Sequence, residues 1–145
     1  MCIMKIQISE TPAIQADADI LILPVFDDED FSAGTPGAVN AKLDGLLVQM
    51  KDWKELSGKA YSVAIAPAAG RASARRVMTI GCGPRADFDT TMVRQVAAAA
   101  ARQTASHPVV SVAFALPGQL EAEEEVRGLV EGFVKGLYKF DKYKS

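Results

Sequence analysis

Asp19-Ile20-Leu21-Ile22-Leu23-Pro24-Val25 is the stretch that decides the architecture. Its apolar residues are consecutive rather than alternating, so both faces of the segment must be covered. That pattern belongs to a central strand flanked by helices, not to a hairpin with one wet face. Upstream, Ile3-Met4-Lys5-Ile6-Gln7-Ile8 alternates weakly and reads as another strand. Downstream, Tyr61-Ser62-Val63-Ala64-Ile65-Ala66 and Arg76-Val77-Met78-Thr79-Ile80-Gly81 read as successive strands joined by a turn around Ala69-Gly70-Arg71. The run from Val109 to Leu116 is a further buried strand, closed by Pro117-Gly118.

Helices fill the gaps between these strands. Asp27-Asp28-Glu29-Asp30 and Gly34-Thr35-Pro36-Gly37 mark a loop. Beyond it, one helix is predicted to carry Val39, Leu43, Leu46, Leu47 and Met50 on its inner face. Pro36 falls near its first turn, where a missing N–H costs nothing. A second helix begins at Asp89-Thr90, either of which can cap it. Its alanine run, Ala97 to Ala101, combines high helix propensity with a thin face for packing on a sheet. It is expected to end near Ser106-His107-Pro108, because the residue before a proline is steered out of the helical region.

The last helix carries Val126, Leu129, Val130, Phe133, Val134 and Leu137 at three- and four-residue spacing, one apolar stripe. Gly128, Gly132 and Gly136 fall four apart along one side. Each glycine costs about 1 kcal/mol of helix propensity relative to alanine, so the column predicts close approach of a neighbouring backbone. Strands alternating with helices specify an α/β fold, three-layer α/β/α, around a mixed and mostly parallel sheet.

At 145 residues the chain is one domain, of a size that buries roughly 70% of the surface its unfolded form exposes. A composition of 49% hydrophobic and 23% charged residues is ordinary for a soluble globular protein. No apolar run approaches the ~20 residues of a membrane helix. The amino end enters a strand-like alternation rather than a signal peptide. Cys2 and Cys82 lack Cys-x-x-Cys spacing and make a poor disulfide framework, so they read as buried or incidental thiols of a cytosolic protein. With 16 basic and 18 acidic side chains the net charge is −2, which gives no field to recruit nucleic acid or acidic lipid.

The chemistry-bearing segments divide between a sharp and a plain reading. Gly81-Cys82-Gly83-Pro84 lies between a strand and a helix, where a phosphate loop would sit. It is not Gly-x-Gly-x-x-Gly and no Lys-Ser/Thr follows, which favours a tight turn. Asp27 to Asp30 lacks the EF-hand glycine and distal glutamate, which favours a solvated acidic loop over a cation site. His107, the one histidine, reads as capping or solvating a helix end. No serine or cysteine has a histidine partner in a motif context. Trp53, beside Lys51, Asp52 and Lys54, is either a partly buried staple or an interface anchor. No catalytic, cofactor-binding or metal-ligating residue is assigned.

Three blocks carry a family resemblance. Asp17-Ala18-Asp19 leads into the apolar strand. Arg76-Val77-Met78-Thr79-Ile80-Gly81-Cys82-Gly83 is followed by Phe88, Arg94 and the alanine-rich helix. Finally, a helix carrying Glu131-Gly132 runs into Tyr138-Lys139-Phe140-Asp141-Lys142-Tyr143-Lys144-Ser145. Together these resemble the N-terminal domain of the leucyl (cytosol) aminopeptidase family, in which a Glu-Gly helix and a Tyr-x-Phe-Asp-x-Tyr-Lys segment lead into the catalytic domain.

The resemblance implies a macro-domain-like fold over residues 1–138, with 139–145 as the start of a linker to a catalytic domain. It implies a parent enzyme that removes N-terminal residues, leucine among them. That enzyme's two divalent cations, manganese or zinc, would be held by Asp, Glu and Lys side chains in an Asn-Thr-Asp-Ala-Glu-Gly-Arg-type motif and nearby segments, which are not in this sequence. The present segment would then be non-catalytic and cytoplasmic, supporting hexamer assembly and access to the active site, with the catalytic domain as its partner.

A macro-like fold also implies an alternative, a stand-alone module binding a nucleotide such as ADP-ribose, or a nucleic acid. Macro domains place an Asn-rich segment after the corresponding strand, whereas Leu23-Pro24-Val25-Phe26 has no side-chain amide. Some members of the aminopeptidase family bind DNA. Lys135, Lys139, Lys142 and Lys144, interleaved with Tyr138, Phe140 and Tyr143, have the composition for it. The acidic balance of the chain instead favours aromatic side chains docked on the catalytic domain with the lysines in water.

Overall fold

β2 (Ile20–Val25) is buried at every position and lies in the middle of a five-stranded sheet of order β1-β5-β2-β4-β3. The other strands are β1 (Lys5–Gln7), β3 (Val63–Pro67), β4 (Arg76–Gly81) and β5 (Ser111–Phe114). The computed structural model describes residues 5–7, 18–105 and 111–144, with 5–7 and 138–144 as backbone only. β1, β5, β2 and β4 are mutually parallel, and β3 pairs antiparallel with β4 at the edge. The expectation of a mixed, mostly parallel sheet is met.

Alternate residues of β2 serve opposite layers. Ile20 and Ile22 pack with Met78, Ile80, Val112 and Phe114 against α3 (Thr90–Ala105) and α4 (Ala122–Lys144). Leu21, Leu23 and Val25 pack against α1 (Gly34–Lys42) and α2 (Leu46–Asp52). A strand sandwiched in this way needs apolar side chains at every position, which is the origin of the unbroken run.

Several boundaries differ from the sequence reading. The single helix expected through Val39 to Met50 is two helices. Asp44 (φ 55°) and Gly45 (φ 81°) enter the left-handed region and break it. Asn40 secures the restart, because its Oδ1 accepts from the backbone N–H groups of Leu47 (3.1 Å) and Val48 (3.2 Å). Val39, Leu43, Leu47 and Met50 still reach the core. β3 begins at Val63 rather than Tyr61, which is held at φ 68°. The strand expected over Val109–Leu116 ends at Phe114 instead, and Val109-Val110 lies outside the described residues.

α3 is capped by Asp89, whose Oδ1 accepts from the Met92 N–H at 2.8 Å. Its Ala97, Ala99, Ala100 and Ala101 are buried against the sheet and α4. The expected end near Ser106-His107-Pro108 lies outside the described residues.

The glycine column of α4 does what its spacing predicts. A Cβ at Gly132 would lie 2.2 Å from the Arg94 carbonyl oxygen, and one at Gly136 would lie 2.6 Å from the Ala98 oxygen. The apolar stripe of α4, in contrast, is split. Leu129 and Phe133 are buried, whereas Val130 and Val134 are 40% and 52% exposed. The glycines take the side facing α3, and that rotation turns these two valines outward. Phe133 meets Phe114 edge-to-face, ring centroids 6.2 Å apart, the arrangement favoured by the ring quadrupoles.

Candidate functional site

Pro24 shapes the site. In β2 it has no N–H to donate, and β2–β5 pairing ends just before it, at the Ile22↔Phe114 register. Ala115 donates its N–H back to the Ile22 carbonyl at 2.9 Å, and beyond that bond the strands part. The chain leaving β2 turns to α1 on one face of the sheet, and the chain leaving β5 turns to α4 on the other. Neighbouring parallel strands whose exits diverge leave a crevice at their carboxyl ends, where α/β folds bind ligands.

The crevice here measures about 570 Å3. Leu23, Pro24 and Phe26 form its floor, and Leu116, Pro117 and Gly118 form the β5 wall. The opposite wall is made by Asp28, Glu29, Asp30, Ser32 and the first turn of α1, with Arg85 beside them.

Arg85 organises the rim. Its guanidinium stacks 4.2 Å from the centroid of Phe26, which meets Phe88 edge-to-face. Its Nη2 donates to Asp28 Oδ1 at 3.0 Å and lies 3.8 Å from Glu29 Oε1. The Arg85 hydrogen bond holds the Asp28 carboxyl below the usual carboxylate range. Glu29 moves the other way: burial raises its pKa, and the nearby guanidinium only partly offsets that. Asp30 is lowered by Ser32, which donates to it from both the hydroxyl (2.7 Å) and the backbone N–H (3.0 Å). Lys51 Nζ donates to the Glu29 carbonyl.

These contacts decide what the segments singled out in the sequence can do. In the acidic loop, Asp28 and Asp30 are engaged by chain partners. Among the described residues no group of three or more His, Cys, Asp or Glu side chains is placed to hold a metal ion. The Gly81-Cys82-Gly83 turn has spent its amides. Gly81 N–H donates to the Ser62 carbonyl, Cys82 N–H to Val25 and Gly83 N–H to Gly58, each at 2.8 Å. Pro84 has none, so this turn ties β2 to β4 and cradles no phosphate. Its geometry demands glycine twice: Gly83 sits at φ 73°, and a Cβ on Gly81 would lie 1.8 Å from the Lys59 oxygen.

Cys82 is fully buried, and burial pushes its thiol up to about 12, which leaves it unreactive as a nucleophile near neutral pH. Trp53 is 62% exposed, so it is not a buried staple. Cys2 and His107 lie outside the described residues, as do the side chains of Tyr138 to Lys144, although α4 runs to Lys144. No described helix is long and apolar enough to cross a membrane.

Two residues, one on the rim and one buried behind the β5 wall, escape a sequence reading. Arg85 offers only a weak signal, a lone cation after the Gly-x-Gly turn, and its hydrogen-bond partner Asp28 lies 57 positions away. Glu125 is one of several acids in the first turn of α4, and only the fold shows that it alone of them turns inward.

The model of the cytosol aminopeptidase family, N-terminal domain, matches residues 22–145. The chain belongs to that family. It is 28% identical over 143 residues to a probable cytosol aminopeptidase of Cyanothece sp., covering 98% of this chain and 29% of the relative. A probable cytosol aminopeptidase of Roseiflexus castenholzii is 30% identical over 144 residues, covering 98% and 27%. The chain thus spans little more than a quarter of the length of these relatives.

Among solved structures, the bottromycin maturation enzyme BotP superposes with a TM-score of 0.61 at 25% identity, covering 88% of this chain and 25% of that one. The macrodomain of Mycobacterium tuberculosis DarG gives 0.72 at 13% identity and 91% coverage of both chains. A Trypanosoma brucei macrodomain in complex with ADP-ribose also gives 0.72, at 14% identity, covering 92% of this chain and 58% of that one. This cytosol aminopeptidase N-terminal domain therefore has a macrodomain-like fold.

Proposed function

We propose that this chain is the non-catalytic N-terminal domain of a metal-dependent leucyl aminopeptidase. It supports oligomer assembly, a hexamer in the full enzyme, and shapes access to the active site in the cytoplasm. Removal of N-terminal residues from peptides is assigned to a catalytic domain of the same polypeptide, which holds two divalent cations, manganese or zinc. In this reading the domain proper ends at residue 138 and 139–145 begin the linker, with α4 running on to Lys144. The observation that carries the reading is the family match over residues 22–145 in a chain little more than a quarter the length of its relatives.

The test compares the 145-residue chain with the product of the reading frame extended past Ser145. Leucyl-p-nitroanilide hydrolysis with added manganese is expected from the extended product alone. Hydrolysis by the 145-residue chain would refute the non-catalytic assignment, and a stop codon directly after Ser145 would refute the parent enzyme.

One observation favours a second reading, a stand-alone module binding a nucleotide. The crevice of about 570 Å3 lies where an α/β fold takes a ligand, and the ADP-ribose-bound macrodomain shares the fold. Against it stands the rim, where Asp28, Glu29 and Asp30 face any phosphate with one guanidinium already engaged. Calorimetry with ADP-ribose separates the two: no heat of binding is expected, and saturable binding would promote the second reading.

A further inference from the structure

Glu125 is 1% exposed, yet its carboxylate has no cationic partner among the described ion pairs. An isolated buried carboxylate is strongly unfavourable unless hydrogen bonds replace the lost water. Three do. Oε1 accepts from the Gly118 N–H at 3.0 Å, and Oε2 accepts from Gln119 and Leu120 at 2.8 and 3.0 Å. Three consecutive backbone N–H groups converging on one oxyanion form an anion-binding concavity. Gly118 makes the convergence possible, because its φ of 79° turns the chain. The same loop supplies the β5 wall of the crevice through Leu116, Pro117 and Gly118.

We propose that residues 118–120 form an oxyanion-binding nest that the chain fills with its own Glu125 carboxylate. The side chain is a built-in occupant. It locks the loop against the first turn of α4 and closes these amides to a phosphate or carboxylate arriving from the crevice. This inference stands on the loop geometry and holds whether or not the aminopeptidase reading does.

The test is chemical rescue of Glu125→Ala in the 145-residue chain, with sodium formate as the probe and sodium chloride at equal ionic strength as the control. Removal of the carboxylate is expected to speed hydrogen exchange at Gly118, Gln119 and Leu120 by about tenfold or more, the scale of a lost charge-assisted hydrogen bond. Formate should restore protection and melting temperature saturably in Glu125→Ala and leave the wild type unmoved. Equal responses to formate and chloride, or a wild type that responds as strongly as the variant, would overturn the proposal. Should Glu125→Ala not fold, folding induced by formate but not chloride supports the nest. Glu125→Gln then supplies an independent reading. Its NH2 group must face at least one backbone N–H, so one or more of the three amides should lose protection. Unchanged protection at all three would refute the assignment.

Discussion

Where α4 crosses α3, the position of Gly132 has no room for a methyl group. Where β2 parts from β5, a crevice of about 570 Å3 stays open. The two regions share a sheet and differ in what limits them. At the seam, backbone meets backbone, so no side chain can yield to an added atom. At the mouth, the limits are a proline with no N–H to offer β5, a loop held by hydrogen bonds, and charged side chains in contact with water. A substitution at the seam is therefore felt by the whole fold, whereas one at the mouth is felt mainly by local charge.

The sharpest way to break this contrast is Gly132→Ala. The Arg94 carbonyl, 2.2 Å from the added Cβ, can move only by displacing α3 from α4, and a loss of about 3 kcal/mol or more is expected. Gly132→Leu should exceed it. In urea unfolding the order of damage by alanine should be Gly132, then Gly136, then Gly128, because at Gly128 the nearest obstacle is the Val93 side chain, at 2.7 Å. Equal midpoints for wild type and Gly132→Ala would show that the helices are not in backbone contact.

Gly45→Ala sharpens the comparison by separating space from conformation. Nothing lies within 4 Å of a Cβ there, but φ is 81°. The expected loss is about 1–2 kcal/mol from left-handed strain alone, and thermal melting in parallel with Gly132→Ala measures the difference.

At the mouth, Arg85→Ala removes the stacking on Phe26 and the pairing with Asp28. The expected loss is about 1 kcal/mol, carried mainly by the cation–π contact, since the Asp28 pair is exposed and Glu29 lies 3.8 Å away. The more telling readout is the Asp28 titration followed by NMR. Arg85 depresses the folded-state pKa below the ordinary 3.8, so this group's contribution is present above 3.8 and is lost as pH falls through the folded value. In Arg85→Ala the Asp28 pKa should return upward and that acid-side dependence should flatten.

Glu29→Gln has the smallest expected effect and the opposite sign. Burial raises the folded pKa of Glu29 above 4.5. Its neutral form is thus the one the fold prefers, and stability is lost as pH rises through the raised value. Glutamine keeps the neutral shape, so the variant should melt slightly above wild type at pH 7, with the gap closing below 4.5. A lower melting point at pH 7 would mean that the Arg85 contact, 3.8 Å away, outweighs desolvation.

The seam was legible in the sequence and the mouth largely was not. Glycines at i, i+4 and i+8 carry their meaning locally, because helix geometry puts them on one side whatever the neighbour is. The same local rule overreached at Val130 and Val134, where spacing alone cannot say which part of a wide stripe faces inward. The helix break at Asp44-Gly45 was hidden because Leu46, Leu47 and Met50 continue the apolar spacing across it. Arg85 and Glu125 were invisible for another reason. A charged residue announces its type but not its partners, and here those partners are a distant carboxylate and three backbone amides.

By itself the sequence determined the layers: a run such as Ile20 to Val25 must be covered on both faces, since apolar burial depends on which residues are present and at what period. It also carried the family, through segments whose spacing survives without coordinates. The tertiary structure alone decided where polar groups are satisfied, namely which carboxylate fills the nest at residues 118–120, which amides of the Gly81-Cys82-Gly83 turn are spent, and where the sheet opens beyond Pro24. Hydrogen bonds depend on distance and direction between groups far apart in the chain, and only folding fixes those.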